Sequence, residues 1–202
     1  MFADADRNAL LLEIYGRKGW SEKQQELLNH MFRSNYSVRT LEALLAVVGE
    51  DRRDELVETA VADILQSANF SHTNLSFLLD IRRYQEAEDY LVNHAEQIIG
   101  DYYTYWLLVT ESMEKAGLAL AASLVYRALL LSILARANTT IYPHGARYLR
   151  KLDRLAGTCE DWRGVEYTDL AEPQFRRMLS QSSGKSEPAL LRSRQIDANA
   201  VE

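Results

Sequence analysis

The sequence holds few of the side chains that usually carry catalysis or bind metal ions, and their spacing keeps them apart. The four histidines, at positions 30, 72, 94 and 144, are separated by 42, 22 and 50 residues, so no two lie within one helical turn as a metal site on a helix requires. Cys159 is the single cysteine, and it can form neither an internal disulfide nor a structural zinc site by itself. The sequence also lacks a glycine-rich phosphate loop and a GxSxG motif. We therefore expect no enzymatic activity, no metal and no cofactor.

An aromatic cluster is the first feature that indicates recognition. Its members are Tyr102, Tyr103, Tyr105 and Trp106. On a helix, side chains this close together point in several directions, so the core cannot take all of them. Because Tyr and Trp combine apolar area with a hydrogen-bonding tip, we expect some of them to line a groove, although core packing alone would also explain the cluster.

Cationic side chains form two further candidate sites. Arg127 interrupts the apolar stretch 118–138, and burying it unpaired would cost several kcal/mol. We expect it to meet a carboxylate of a neighbouring helix or to reach an opening. Four other cations, Arg147, Arg150, Lys151 and Arg154, follow helical spacing and predict one outward basic face. Such a face is typical of solvated helices, and it also suits an acidic partner or a nucleic-acid backbone.

The composition indicates which elements must position these residues. Nine glycines and three prolines in 202 residues are about half the usual share, which favours helices over a β-sandwich. The net charge of −6 argues against a general nucleic-acid or anionic-membrane binder. Because the N-terminus resembles no secretory signal and the single cysteine suits a reducing compartment, we predict a cytoplasmic protein. Stretch 118–138 then predicts a buried central helix rather than a membrane span.

Apolar residues recur at helical spacing, with short gaps, from the start of the chain to about residue 180. Four positions predict helix ends. Ser21 with Gln24 forms a capping box, Asp101 caps a later helix, Gly117 ends that helix in the left-handed conformation, and Pro143 lies in the first turn of the last helix.

Two segments, 82–91 and 117–126, share a spacing that predicts the architecture. Each has a turn residue, Arg82 or Gly117, followed five residues later by Ala87 or Ala122. The two alanines are 35 residues apart, close to the tetratricopeptide period. We predict an all-α array over residues 1–179, with antiparallel helical hairpins stacked as a tetratricopeptide-like solenoid, and a flexible tail over 180–202. The alternative is an irregular helical bundle.

The last predicted helix, whose first turn holds Pro143, and its surroundings resemble a known family. The resemblance rests on the segment from Ala121 to Leu129 and on Tyr142, His144, Ala146, Arg147, Leu149, Leu152, Leu155, Ala156, Asp161, Trp162 and Gly164. These residues resemble the C-terminal helical region of an uncharacterised bacterial family that is similar to the tetratricopeptide-like region of SWIM-type zinc-finger proteins. The likeness extends over about residues 10 to 180. It implies an all-α solenoid without assigned catalytic residues, and the zinc module is not present.

Together these features predict a non-enzymatic interaction module that binds a peptide or helix of a partner protein in its groove. The acidic excess of residues 1–142 favours a basic partner. Two alternatives stay open: a small-ligand-binding or enzymatic helical bundle that uses Arg127, and nucleic-acid binding through the basic face of residues 147–154. A homo-oligomer is a further expectation, because an array without a polar cap leaves an open end for a second copy.

Overall fold

The computed structural model describes residues 2–136, 141–159 and 161–163, and within these ranges every regular element is a helix. The prediction of an all-α chain is confirmed, whereas the predicted tail, 180–202, lies outside the described residues. The helices are α1 (Phe2–Lys18), α2 (Ser21–Ser34), α3 (Val38–Val48), α4 (Arg53–Leu65), α5 (His72–Asp80), α6 (Tyr84–Asn93), α7 (Tyr103–Ala116), α8 (Ala119–Ala135) and α9 (Tyr142–Ala156). Short 3₁₀ turns at Glu50–Arg52 and Ala95–Gln97 precede α4 and follow α6.

The chain divides into two compact units, with the boundary between His94 and Ala95. In the first unit, α1 packs on α2, α2 on α3, and α6 on both α4 and α5. Its core includes Phe32, whose ring meets those of Tyr36 and Phe77 edge-on with centroids 5.1 and 5.8 Å away. Such edge-to-face contacts add to the stabilisation that burial alone supplies.

In the second unit, α8 packs on both α7 and α9. Residues Leu120 to Tyr126 of α8 are all buried, and burial continues through most of the helix to Ile133. The prediction of a buried central helix in this stretch is therefore confirmed. Among the described residues, no helix is long and apolar enough to cross a membrane.

Three of the turns between helices share one backbone geometry. Gly19, Arg82 and Gly117 have φ values of 67°, 61° and 79°, and the next helix begins two residues later in each case. The residue between has nearly the same φ and ψ at all three turns: −86° and 67°, −83° and 67°, and −81° and 72°. Hairpins α1–α2, α5–α6 and α7–α8 are therefore joined by the same turn.

Hydrogen bonds show why this turn works. The backbone N–H of the left-handed residue donates a hydrogen bond to the carbonyl three residues earlier in the chain. The N–H of the following residue donates to the carbonyl five residues before it. At Gly117 these bonds run to Glu114 and Met113, at 3.2 and 3.0 Å. Carbonyls at the end of the first helix are thus satisfied before the chain reverses. The turn residues predicted at positions 82 and 117 are confirmed, and Ala87 and Ala122 are both fully buried.

The predicted helix ends have mixed outcomes. Pro143 lies in the first turn of α9, as predicted. The predicted capping box is wrong: Ser21 is already helical, and Trp20 precedes α2 without a side-chain cap, because the turn at Gly19 starts the helix one residue early. Asp101 does not cap α7 either. Its carboxylate accepts hydrogen bonds from Ser132 Oγ at 2.7 Å and Arg136 Nη2 at 2.8 Å, both from α8 or its end.

The segment before α7 packs tightly on α8. A Cβ atom on Gly100 would lie 2.3 Å from the carbonyl oxygen of Ala128, so only glycine fits there without movement. The residues next to Gly100 are also held in place. The carbonyl of Ile99 accepts a hydrogen bond from Trp106 Nε1 at 2.8 Å, and the carboxylate of Asp101 accepts one from Ser132 of α8. This contact fixes where α7 starts relative to α8, and so positions the site described next.

Candidate binding cleft

A cleft of about 670 Å³ lies among α7, α8 and α9 of the second unit. Helix α7 contributes side chains at roughly one-turn intervals along one side, α9 does the same along the other, and α8 contributes one tyrosine. The lining residues are Tyr103, Leu107, Glu111, Glu114, Lys115, Tyr126, His144, Arg147, Tyr148 and Lys151. Because facing positions on a helix recur every three or four residues, these sets are what two amphipathic helices present to a shared groove.

Glu114 connects the three helices at the cleft wall. Its carboxylate accepts a hydrogen bond from the Tyr126 hydroxyl at 2.5 Å, and each of its oxygens lies 2.9 Å from Lys151 Nζ. Arg154 of α9 donates to the same carboxylate. The Glu114 side chain is only 16% exposed, so this is a half-enclosed ion pair with several hydrogen bonds rather than a surface contact.

The surroundings of Glu114 and Tyr126 change the pKa values of both groups. Burial alone would raise the pKa of Glu114, but hydrogen bonds from Tyr126 and Lys151 and the charge of Arg154 outweigh burial and lower it. The pKa of Tyr126 is raised, first by burial and then by the carboxylate that it faces. Both groups therefore keep their ordinary charge at neutral pH, and the cluster is not a proton donor or acceptor poised for catalysis.

Aromatic and apolar side chains form the rest of the wall. The rings of Tyr126 and Tyr148 stack with centroids 5.7 Å apart and an interplanar angle of 29°. Across the cleft, Tyr103 is 58% exposed and Leu107 is 38% exposed. Large apolar groups left open beside hydrogen-bonding groups are typical of recognition surfaces.

Cations outnumber carboxylates around the cleft. Lys115 pairs with Glu111 one turn away, with Nζ 2.9 Å from Oε1, whereas Lys151 and Arg154 share the single carboxylate of Glu114. Arg147 has its Nη2 atom 3.3 Å from Nδ1 of His144. Among the described residues, the cleft lining therefore has three cations and two carboxylates, and Arg154 adds a fourth cation beside Glu114.

The structure separates the aromatic residues that the sequence groups together. Trp106 is fully buried, and Tyr105 is half-buried with its ring 5.2 Å from that of Trp106. Tyr102 is 64% exposed and does not line the cleft. Tyr103 alone of the four lines it. The expectation that these side chains point in several directions is confirmed.

The four predicted cations of α9 also differ in their environments. Arg147 and Lys151 line the cleft, and Lys151 is only 36% exposed. Arg154 pairs with Glu114, and Arg150 is exposed outside the lining. The four cations therefore differ in their partners: Lys151 and Arg154 pair with the carboxylate of Glu114 on α7, and only Lys151 is half-buried.

Arg127 does not join this site. Its side chain is half-buried, and its buried Nε atom has no hydrogen-bond partner among the described residues. No ion pair found among the described residues joins it to a carboxylate, so the expected structural ion pair is not seen in this part of the chain. Arg127 also does not line the cleft.

Sequence reasoning missed several residues of the cleft. Leu107, Glu111 and Glu114 follow Tyr103 at helical spacing, and that periodicity was available as a signal. Tyr126 and Tyr148 lie in different helices, and no local pattern links them. Within the described ranges, no group of three or more His, Cys, Asp or Glu side chains is placed to hold a metal ion.

Comparison with known proteins gives one match. Residues 2–185 match a family described as a family of unknown function (DUF6880). No curated protein and no solved structure matches the chain.

Proposed function

For this chain, which belongs to the family of unknown function DUF6880, we propose the role of a non-enzymatic protein-interaction module. The α7–α9 cleft binds a segment of a partner protein. The observation that carries this proposal is the pairing of open apolar side chains, Tyr103 and Leu107, with a fixed polar wall around Glu114.

The chemistry of the cleft favours binding over catalysis. The carboxylate of Glu114 forms ion pairs with Lys151 and Arg154 and accepts a hydrogen bond from Tyr126. Its lowered pKa keeps this carboxylate charged at neutral pH. A general base needs a pKa near the working pH, and the lowered pKa of Glu114 moves it away from that range. The polar groups serve instead to fix α9 against α7, so that the wall is rigid before a ligand arrives, which reduces the cost of binding.

We also propose that the helical hairpins stack as a tetratricopeptide-like solenoid, the architecture that the resemblance to the helical region of SWIM-type proteins implies. The shared turn geometry at Gly19, Arg82 and Gly117 supports this proposal, since it joins three hairpins in the same way. Arrays of this kind bind extended segments or helices of partners along the faces of their helices.

A site-specific photo-crosslinking experiment tests the proposal. A benzoylphenylalanine residue replaces Leu107 inside the cleft or, as the matched control, Leu108, which is 66% exposed and does not line the cleft. In the native cell, we expect a discrete crosslinked protein from position 107 that is absent from position 108. The same product should be lost when Tyr103 is replaced by Ala in the position-107 protein. Equal products from both positions, or none from position 107, would contradict the proposal.

A small ligand is the second candidate occupant, because the cleft volume falls within the range of about 300–1,000 Å³ usual for small-molecule sites. Purification distinguishes a small ligand from a partner segment as the occupant of the cleft. A small ligand would co-purify as a non-protein compound and raise the melting temperature of the wild-type chain more than that of the Tyr103→Ala variant. A partner segment would instead give the crosslinked protein described above.

A further inference from the structure

We infer that the segment bound in the cleft is acidic, with an Asp or Glu carboxylate seated on Arg147 and an apolar or aromatic side chain of the same segment lying against Tyr103 and Leu107. This inference rests on the proposed function and adds the chemical class of the partner. An acidic segment is the opposite of the basic partner that the net charge of −6 suggests for the whole chain.

Charge complementarity within the cleft is the first argument. Each of the two carboxylates, Glu111 and Glu114, is already paired, the second of them with two cations. A basic segment would therefore meet no unpaired carboxylate there. An acidic segment would meet three cations and two carboxylates in the described lining, with Arg154 beside them. Opposite charges favour binding, whereas like charges weaken it.

The position of Arg147 is the second argument. It lies four residues before Lys151 and three after His144 on α9, so the three side chains form one row along the cleft. Its close neighbour, Nδ1 of His144 at 3.3 Å, brings no negative charge to it. Arg147 is exposed and pairs with no carboxylate in the described part of the chain. Such a guanidinium is a ready partner for a carboxylate, which it can bind with two parallel hydrogen bonds.

The opposite wall defines the second feature of the segment. Tyr103 and Leu107 lie one turn apart on α7 and are 58% and 38% exposed. An acidic side chain on Arg147 and an apolar side chain on this pair can therefore belong to one short segment that crosses from α9 to α7. Burying the apolar side chain supplies affinity, and the carboxylate selects the segment and its direction.

Selection from a library of random 12-residue peptides displayed on phage, with the full chain as bait, tests the inference. Enriched peptides are synthesised, and their dissociation constants are measured by fluorescence anisotropy. The proteins compared are the wild type, Arg147→Glu in the cleft and Arg150→Glu as the control, since Arg150 is exposed on the same helix but outside the lining. Thermal melts followed by circular dichroism establish that both variants fold.

We expect enriched peptides to carry acidic residues beside an apolar one. Arg147→Glu should weaken their binding about tenfold, because it replaces an attractive pair with a repulsive one, and Arg150→Glu should change it less than twofold. The free anions acetate and phosphate should not compete at millimolar concentration, since they lack the apolar group; competition by them would overturn the inference.

The two proposals fail in different ways. Neutral or basic peptides that lose affinity in a Tyr103→Ala variant would overturn the acidic preference and leave the interaction module standing. Acidic peptides that bind Arg147→Glu as tightly as the wild type would overturn the inferred contact with Arg147 and leave the interaction module standing. If no selected peptide depends on Tyr103 or Arg147, the cleft is not a peptide site and the proposed function itself is refuted.

Discussion

Replacing Glu114 by Gln should destabilise the fold, because this carboxylate accepts hydrogen bonds from side chains of two other helices. Gln keeps the size of the side chain and removes the charge. The hydroxyl of Tyr126, a residue that is 5% exposed, then has only a neutral amide oxygen as its acceptor, and a hydrogen bond to a neutral group contributes about 1 kcal/mol less than one to a charged group. Lys151 and Arg154 are exposed enough to regain water, so each of their pairs contributes at most about 1 kcal/mol. We expect a loss of about 2 kcal/mol in the free energy of unfolding.

The pH dependence of this loss follows from the lowered pKa of Glu114. Its carboxylate has an ordinary pKa of 4.5 when unfolded and a lower one when folded. A group of this kind stabilises the fold fully above its unfolded pKa, and the stabilisation disappears as the pH falls through its folded pKa. The difference between wild type and Glu114→Gln should therefore be constant from pH 7 to about pH 5.5 and shrink below pH 4.5.

Urea unfolding followed by circular dichroism at 222 nm, at pH 7 and pH 4, measures both effects. The matched control is Glu111→Gln, one turn earlier on α7, whose carboxylate pairs with Lys115 on the exposed face of the same helix. This control should leave the unfolding midpoint nearly unchanged. The reasoning is refuted if the two variants lose the same stability at pH 7, or if the Glu114→Gln loss is as large at pH 4 as at pH 7.

The same unfolding measurement checks three further predictions. Tyr126→Phe removes the hydroxyl that donates to Glu114, so combining it with Glu114→Gln should cost about 1 kcal/mol less than the sum of the single losses; strict additivity would show that the charge of Glu114 adds nothing to this hydrogen bond. Gly100→Ala should cost about 1–3 kcal/mol, because the new Cβ would lie 2.3 Å from the Ala128 carbonyl oxygen, and an unchanged midpoint would disprove this close packing. Gly16→Ala, in contrast, should stabilise the fold by about 0.5–1 kcal/mol, since the nearest atom to its Cβ would be Gln24 Nε2 at 3.8 Å; destabilisation would show that this glycine has a role in α1 beyond its backbone.

Local patterns predicted the helices well, because helix formation depends on neighbours in the sequence. Gly117 ends α7 in the left-handed conformation and Pro143 lies in the first turn of α9, both as predicted. Predictions failed where a distant partner competes for the same side chain. Asp101 bonds Ser132 and Arg136 of a later segment instead of capping its own helix, and no local rule contains those partners.

The candidate site shows the same division. Sequence reasoning identified Tyr103, Arg147 and Lys151 as candidates from their residue types and spacing, and all three line the cleft. It placed Arg150 and Arg154 with them on one face, because the periodicity of a single helix cannot show that Glu114 on another helix pairs with Arg154. It also gave Trp106 the same standing as Tyr103, although Trp106 is fully buried and Tyr103 is 58% exposed.

The sequence by itself determined that the described chain is helical, where most helices begin and end, and which side chains have the chemistry of recognition. These properties follow from composition, turn residues and a period of 3.6, which act over a few neighbouring residues. Only the tertiary structure decided that Tyr103, Tyr126 and Arg147 share a cleft and that Glu114 holds its wall together. The cleft brings together residues up to 44 positions apart. It exists only because α7, α8 and α9 pack together, which fixes the distances between their side chains.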